Sequence, residues 1–145
     1  MTSIAPLKHR VDITLRLNDA AYDLVQAGDE KLEILNGTTK NRAAWFRMLI
    51  DFSLSTTPMP EILSATTLHK YHYEKWFDLP TPHRATFQIE EEHRIQIRQF
   101  ECYAQGLNWS HLLQRNEACL VLICESGPWL NRHLDVQIHR KNKLD

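Results

Sequence analysis

The stretch RVDITLRL, residues 10–17, alternates strictly between apolar and polar side chains. The apolar side chains that share one side are Val11, Ile13, Leu15 and Leu17. A period of two predicts a β-strand with one buried face. No hairpin partner follows, because Asn18 and Asp19 are typical of a helix N-terminus. Since a single amphipathic strand is not stable alone, its partner must lie further along the chain.

Two helices are predicted after this strand. The first begins at Asn18 and ends at Asn36–Gly37, and Gly28 and Asp29 interrupt its apolar spacing, which allows a break there. The second begins near Asn41. Its predicted buried side chains are Trp45, Phe46, Leu49, Ile50 and Leu54.

A second alternating stretch, RATFQIEEEH, occupies residues 84–93. Its apolar side is formed by Ala85, Phe87 and Ile89, opposite Arg84, Thr86 and Gln88. A helix is predicted to follow this strand and to end at Gly106. A second helix is predicted to begin with Asn108 as its N-cap. Gly127–Pro128 then opens a last segment with a basic end.

The order of strand, helix, glycine, asparagine cap and helix therefore occurs twice, with Thr14 aligned to Thr86. Residues 84–89 are the predicted antiparallel partner of residues 10–17, with four helices packed behind the two strands. The predicted segments are two repeat units (1–54 and 84–125), a partly helical connector (55–83) and a C-terminal extension (126–145).

This arrangement resembles the ribbon-helix-helix family of DNA-binding proteins, of the MetJ and Arc kind. The resemblance rests on VDITLRLNDAA followed by KNRAAWFRMLIDFSL, and on ATFQIEEEH followed by GLNWSHLLQRNEACLVLI. Most members supply one strand per chain and dimerise, so two units in one chain are similar to the tandem form in TraY, a relaxosome accessory protein of conjugative plasmids. The implied fold is mainly α with a two-stranded antiparallel ribbon, and the implied partner is double-stranded DNA.

The polar side of both strands carries side chains suited to reading bases in the major groove. Arginine pairs bidentately with guanine and glutamine with adenine, threonine contacts the thymine methyl, and aspartate accepts from cytosine. The predicted base contacts are Asp12, Thr14, Arg16, Arg84, Thr86 and Gln88.

The resemblance also implies phosphate contacts at the start of the second helix of each unit, where free backbone N–H groups and the helix dipole attract an anion. The predicted phosphate contacts are Lys40, Asn41, Arg42, Asn108 and Ser110. Capping alone would also account for the two asparagines.

Composition restricts the other classes of function. The 145 residues are 43% hydrophobic and 24% charged with a net charge of −1, so any anion-binding surface is local. The 3 cysteines form no CxxC pair, and neither a signal peptide nor a membrane-spanning apolar run is evident, which predicts a cytoplasmic protein that does not enter membranes.

Catalysis is not predicted. The sequence has no nucleophile motif, glycine-rich phosphate loop or paired-carboxylate signature. His69 and His72 have a spacing that can bind a metal, but no cysteine or carboxylate in that stretch completes a site. We therefore expect no enzyme activity, no metal and no cofactor.

Two DNA-binding roles fit the sequence, a transcriptional repressor and a relaxosome accessory protein. The chain would act as a monomer or as a cooperative oligomer on DNA, and its two different strands would read an asymmetric site. The alternative is a protein-binding adaptor or inhibitor, such as an antitoxin, acting through the connector and the C-terminal extension.

Overall fold

The computed structural model describes residues 10–55, 62–106 and 114–144. The strands are β1 (Arg10–Leu17) and β2 (His83–Glu90). The α-helices are α1 (Asp19–Asn36), α2 (Arg42–Ile50), α3 (Ala65–Tyr73), α4 (Glu91–Gly106) and α5 (Arg115–Leu144). A π-helical turn, Asp51–Ser55, extends α2, and a 3₁₀ turn, Trp76–Asp78, follows α3. The chain is thus mainly helical, with one two-stranded sheet in its described part.

The two strands form an antiparallel ribbon, which confirms the predicted pairing of residues 10–17 with residues 84–89. Thr14 lies opposite Thr86 at the middle of the ribbon. The inner face carries the alternating apolar side chains Ile13, Leu15, Leu17, Ala85, Phe87 and Ile89, all of them buried. Helices α1, α2, α4 and α5 contact the ribbon and form the layer that covers this face.

Helix α1 is capped at both ends as its sequence predicts. The Asn18 side chain accepts a hydrogen bond from the Ala21 N–H at 2.9 Å, and Gly37 ends the helix in the left-handed conformation with φ 72°. The helix nevertheless runs without a break through Gly28, so the interruption allowed there is absent. A Cβ at Gly28 would lie 2.1 Å from the Trp45 indole, so this glycine permits close packing of two helices.

Helix α5 differs from the prediction, because its 30 residues continue through Gly127 and Pro128 where a new segment was expected. Proline removes a backbone donor and normally kinks or ends a helix. Here the packing on either side of Pro128 supports the helix: Gly127 faces Trp45, and Asn131 accepts a hydrogen bond from the Trp45 indole N–H at 2.8 Å. The predicted cap of this region, Asn108, lies outside the described residues.

The C-terminal half of α5 packs along α1. The Asn131 side-chain amide donates to the Leu24 carbonyl at 3.1 Å, and Lys31 forms an ion pair with Asp135 at 2.7 Å. Near the end of α5, the Lys141 ammonium donates to the Ile34 carbonyl at 3.0 Å. A cation at the C-terminus of α1 is favourable because the last carbonyls of a helix lack partners. Much of the predicted C-terminal extension is therefore part of the helical layer.

The connector contains the predicted helix, here α3. Ser64 caps it by accepting from the Thr67 N–H at 3.1 Å, and Leu68 and Tyr71 are its buried residues. Burial raises the pKa of the Tyr71 hydroxyl, with added contributions from Cys124 and Glu125. The aromatic ring of Tyr71 also contacts Trp76. None of the helices in the described ranges has the length and apolar character needed to cross a membrane.

Candidate nucleic-acid interface

All six predicted base-contacting residues are exposed on the outer face of the ribbon, the side turned away from the helices. The register places Thr14 opposite Thr86, Arg16 opposite Arg84, and Asp12 opposite Gln88. Side chains that are far apart in sequence are thereby gathered on one surface. The alternation that buries the inner face also exposes these groups, because successive strand residues point to opposite sides.

At the centre of the outer face, the Thr14 and Thr86 hydroxyls lie 2.9 Å apart and share a hydrogen bond. Each hydroxyl has one O–H donor and two acceptor positions. One hydroxyl donates its hydrogen to the other within this pair. The second O–H donor and the unused acceptor positions remain available to a binding partner. Both threonine methyl groups also belong to this exposed centre, where they can contact another apolar group.

One end of the ribbon, which we call the arginine end, carries Arg16 and Arg84 directly opposite each other. Within the described part of the chain, no carboxylate lies within ion-pair distance of either guanidinium. The backbone of Arg16 is held by Asn116 of α5, whose side chain accepts from the Arg16 N–H at 2.8 Å and donates to the Arg16 carbonyl at 3.0 Å. Nothing in the sequence pattern signalled this role of Asn116.

The other end, which we call the mixed-charge end, carries Arg10, Asp12, Gln88 and Glu90. Arg10 and Asp12 form an ion pair at 3.4 Å, and Arg10 lies opposite Glu90. The positive charge at this end is therefore balanced within the ribbon.

Side chains of the helical layer also form hydrogen bonds with the strand backbone at the mixed-charge end. Arg47 of α2 donates to the Gln88 carbonyl at 2.6 Å, and burial lowers the pKa of Arg47 while Glu90 and Asp51 act to raise it. The Glu90 N–H donates to His93 Nδ1 at 3.1 Å, and His93 Nε2 lies 3.0 Å from Asp51. Because Nδ1 accepts, Nε2 carries the ring proton that is donated to Asp51.

The first predicted phosphate site lies at the start of α2. Asn41 is only 6% exposed, and its side-chain amide donates to the Thr38 carbonyl at 2.7 Å instead of capping the helix. Its backbone N–H donates to the Asp29 carboxylate at 2.7 Å. Asp29 thus already supplies an anion near this helix terminus. Among the three predicted phosphate contacts in this loop, Lys40 and Arg42 keep their cationic groups at the surface.

The other two predicted phosphate contacts, Asn108 and Ser110, lie outside the described residues. At the first site, an open cavity of about 270 Å³ is lined by Asp29, Lys40, Arg42 and Ala43. Arg42 is 3.9 Å from Asp29 and also donates to the Tyr22 hydroxyl at 3.1 Å. The positive charge of Arg42 is thus shared with a carboxylate, which leaves Lys40 as the less restrained cation.

A contact chain missed by the sequence reasoning joins this loop to the arginine end. The Arg42 guanidinium lies 5.3 Å from the Tyr22 ring centre, and His83 stacks on the Tyr22 ring with centroids 3.8 Å apart. His83 Nε2 lies 2.8 Å from the Asp19 carboxylate. Because His83 directly precedes Arg84, the start of α2 and the arginine end share one side of the molecule. Only the strand register reveals this, since the three aromatic and basic residues are widely separated in sequence.

Comparison of the chain with protein-family models, with curated proteins and with solved structures finds no match. Within the described ranges, no group of three or more His, Cys, Asp or Glu side chains is placed to hold a metal ion. The geometry and chemistry of the outer face are therefore the basis on which a function can be assigned.

Proposed function

We propose that this protein is a tandem ribbon-helix-helix protein that binds double-stranded DNA by inserting its ribbon into the major groove. The supporting observation is the outer face, where the six side chains proposed to contact bases are exposed in register around the Thr14–Thr86 pair. A two-stranded ribbon fits the major groove, which is about 12 Å wide. The outer face would read bases, and Lys40 and Arg42 would contact the phosphate backbone beside them.

The site on DNA is asymmetric under this proposal. With the local two-fold axis between Thr14 and Thr86, Arg16 corresponds to Gln88, and Asp12 corresponds to Arg84. These pairs differ in charge and in hydrogen-bonding pattern, so the two halves of the ribbon favour different bases. One chain then recognises two unlike half-sites, and a perfect palindrome is not its best target.

Two cellular roles follow from DNA binding without catalysis, repression of transcription and assistance to a relaxosome at a transfer origin. Both place the protein in the cytoplasm, acting as a monomer or as a cooperative oligomer on DNA. The adaptor alternative has less support, because much of the C-terminal extension is engaged with α1 through Asn131, Asp135 and Lys141.

An electrophoretic mobility shift with the intact protein tests the proposal. Duplex fragments from the gene's own locus would be titrated at two salt concentrations with the wild type, Arg16→Ala and Thr86→Ala. Arg132→Ala is the matched control, since Arg132 is exposed in the C-terminal half of α5. We expect a discrete complex that is weakened in both ribbon variants and unchanged in Arg132→Ala. In Arg16→Ala the loss of bidentate contacts should weaken it about tenfold or more.

The salt dependence adds a second measurement, because the logarithm of affinity falls by about 0.9 per phosphate contact for each unit of log salt. We expect a shallow slope that reflects a few local cations. Absence of any complex at low salt would reject DNA binding and favour the adaptor alternative. Equal weakening by the ribbon variants and by Arg132→Ala would place the DNA elsewhere on the surface.

A further inference from the structure

We propose that the ribbon lies on DNA in one fixed orientation, with the arginine end over guanines of two neighbouring base pairs and the mixed-charge end over a part of the site where no guanine is required. This inference rests on the proposed function and goes beyond it, because it states which end of the site is rich in G·C pairs. It also assigns Arg16 and Arg84 as a pair that determines specificity, and it excludes Arg10 from that role.

The charge arrangement of the outer face supports this orientation. Like charges directly opposite each other in an antiparallel pair destabilise the pair. Arg16 and Arg84 occupy such positions, with no carboxylate within ion-pair distance in the described ranges. Two electronegative partners from outside would relieve the repulsion. Guanine supplies them, since its O6 and N7 acceptors match the arginine fork.

The mixed-charge end has the opposite character. Arg10 is paired with Asp12 at 3.4 Å, so its guanidinium already has an anionic partner, and Glu90 adds a second carboxylate opposite Arg10 in the strand register. The two carboxylates at this end disfavour an approach to guanine O6 and N7, which carry partial negative charge. Asp12 and Gln88 instead match the amino groups of cytosine and adenine.

The spacing of the two arginines fits neighbouring base pairs. Opposed residues in an antiparallel pair have Cα atoms about 4.5–5.5 Å apart. Successive base pairs are separated by about 3.4 Å along the duplex. Two long, flexible side chains that start from opposed positions can therefore each reach one of two adjacent pairs.

Both arginines also project from a backbone that is held in place. The Asn116 side chain makes two hydrogen bonds to the backbone of Arg16, at 2.8 and 3.0 Å. On the opposite strand, His83 beside Arg84 stacks on Tyr22 and contacts Asp19. A preorganised backbone improves the precision of base recognition. The same contacts bring Arg42 to this side, so base and phosphate contacts would be made at one end.

Selection from a duplex pool with a randomised central segment tests the orientation. The wild type, Arg16→Lys and Arg84→Lys would each be used, since lysine keeps the charge but loses the bidentate fork. Arg10→Lys is the matched control on the same outer face. We expect the wild type to select a motif with two adjacent G·C pairs towards one end. In each of the two test variants, the preference for guanine at one of these positions should fall by roughly 5- to 150-fold. Arg10→Lys should select the same motif as the wild type.

The outcomes separate this inference from the proposed function. If the wild type selects a motif but the two test variants alter positions at opposite ends, or alter none, the orientation is wrong while DNA binding stands. The same holds if Arg10→Lys relaxes a guanine position. If the wild type selects no motif, sequence-specific DNA binding fails and the orientation fails with it.

Discussion

The inner and outer faces of the ribbon lie on the same two strands, yet they meet different physical demands. On the inner face Leu15, Leu17, Phe87 and Ile89 are at most 1% exposed, and their burial stabilises the fold. On the outer face, by contrast, polar side chains are exposed and one opposed pair carries like charges. Like-charged opposed pairs reduce stability, so folding alone does not account for the Arg16–Arg84 pair, to which the proposed function gives a role in binding DNA. Substitutions on the two faces should therefore separate stability from DNA affinity.

The largest loss of stability is expected from Phe87→Ala on the inner face. Phe87 is fully buried and stacks on Phe46 with ring centroids 4.6 Å apart. Truncation removes buried apolar surface and leaves a cavity, and such changes reduce the free energy of unfolding by about 3–5 kcal/mol. Urea denaturation followed by circular dichroism measures the effect.

The neighbouring residue on the opposite face, Gln88, is the matched control. Its side chain is exposed, so Gln88→Ala should change the free energy of unfolding by no more than about 0.5 kcal/mol. A loss in Gln88→Ala comparable to that in Phe87→Ala would contradict the division between the faces.

The next largest loss is expected from Gly28→Ala in the helical layer behind the ribbon. Alanine favours a helix by about 0.5–1 kcal/mol over glycine. Here, however, its Cβ would lie 2.1 Å from Trp45. Overpacking of this kind reduces stability by about 1–3 kcal/mol and should outweigh the propensity gain.

Gly106→Ala provides the comparison, because, apart from its own stretch of helix, no described atom lies within 4 Å of a Cβ at this position. It should be neutral or slightly stabilising in thermal unfolding. If Gly28→Ala also raised the melting temperature, the close packing of α1 against Trp45 would be wrong.

A smaller loss of stability is expected at alkaline pH, because two cysteines of the helical layer are buried. Burial raises the pKa of both the Cys119 and Cys124 thiols to about 12, above the ordinary value near 8.5. Their contribution to stability is fully present below the unfolded pKa and is lost as pH rises towards the folded pKa. Between about pH 7.5 and about pH 9 the free energy of unfolding should fall by on the order of 1 kcal/mol.

Urea titrations at several pH values test this expectation. Cys119→Ala should flatten the pH profile, because it removes a buried titrating group. Cys102→Ser, at an exposed cysteine, is the matched control. A profile that is unaffected by Cys119→Ala would contradict the role given to this thiol.

The smallest effect, and the one of opposite sign, is expected from Arg84→Thr on the outer face. Removing one arginine relieves the repulsion with Arg16, and cross-strand pairs of this kind contribute about 0.2–1 kcal/mol. The variant should therefore be slightly more stable to urea while it binds DNA less well. Arg10→Thr should not stabilise the protein, because Arg10 is paired with Asp12. Lower stability in Arg84→Thr would mean that Arg84 serves the fold.

The ribbon could be predicted from sequence because strict alternation depends only on local periodicity and on the burial of one face. The sequence allows a break at Gly28 and predicts a new segment at Gly127–Pro128, although the helices continue through both. Both glycines pack against Trp45, which lies elsewhere in the chain, and this packing is compatible with a continuous helix. Likewise, the position of Asn41 before α2 was predicted, but the orientation of its side chain depends on Thr38 and its backbone partner is Asp29. Long-range packing of this kind leaves no periodic signal.

Dimethyl sulfate footprinting on a selected duplex tests the central claim most directly. The reagent methylates guanine N7, which lies in the major groove, and adenine N3, which lies in the minor groove. With the ribbon in the major groove, saturating wild-type protein should protect guanine N7 within the site and leave adenine N3 reactive. Protection of adenine N3 with guanine N7 fully reactive, or no protection at all, would contradict the claim that the outer face of the ribbon reads the major groove.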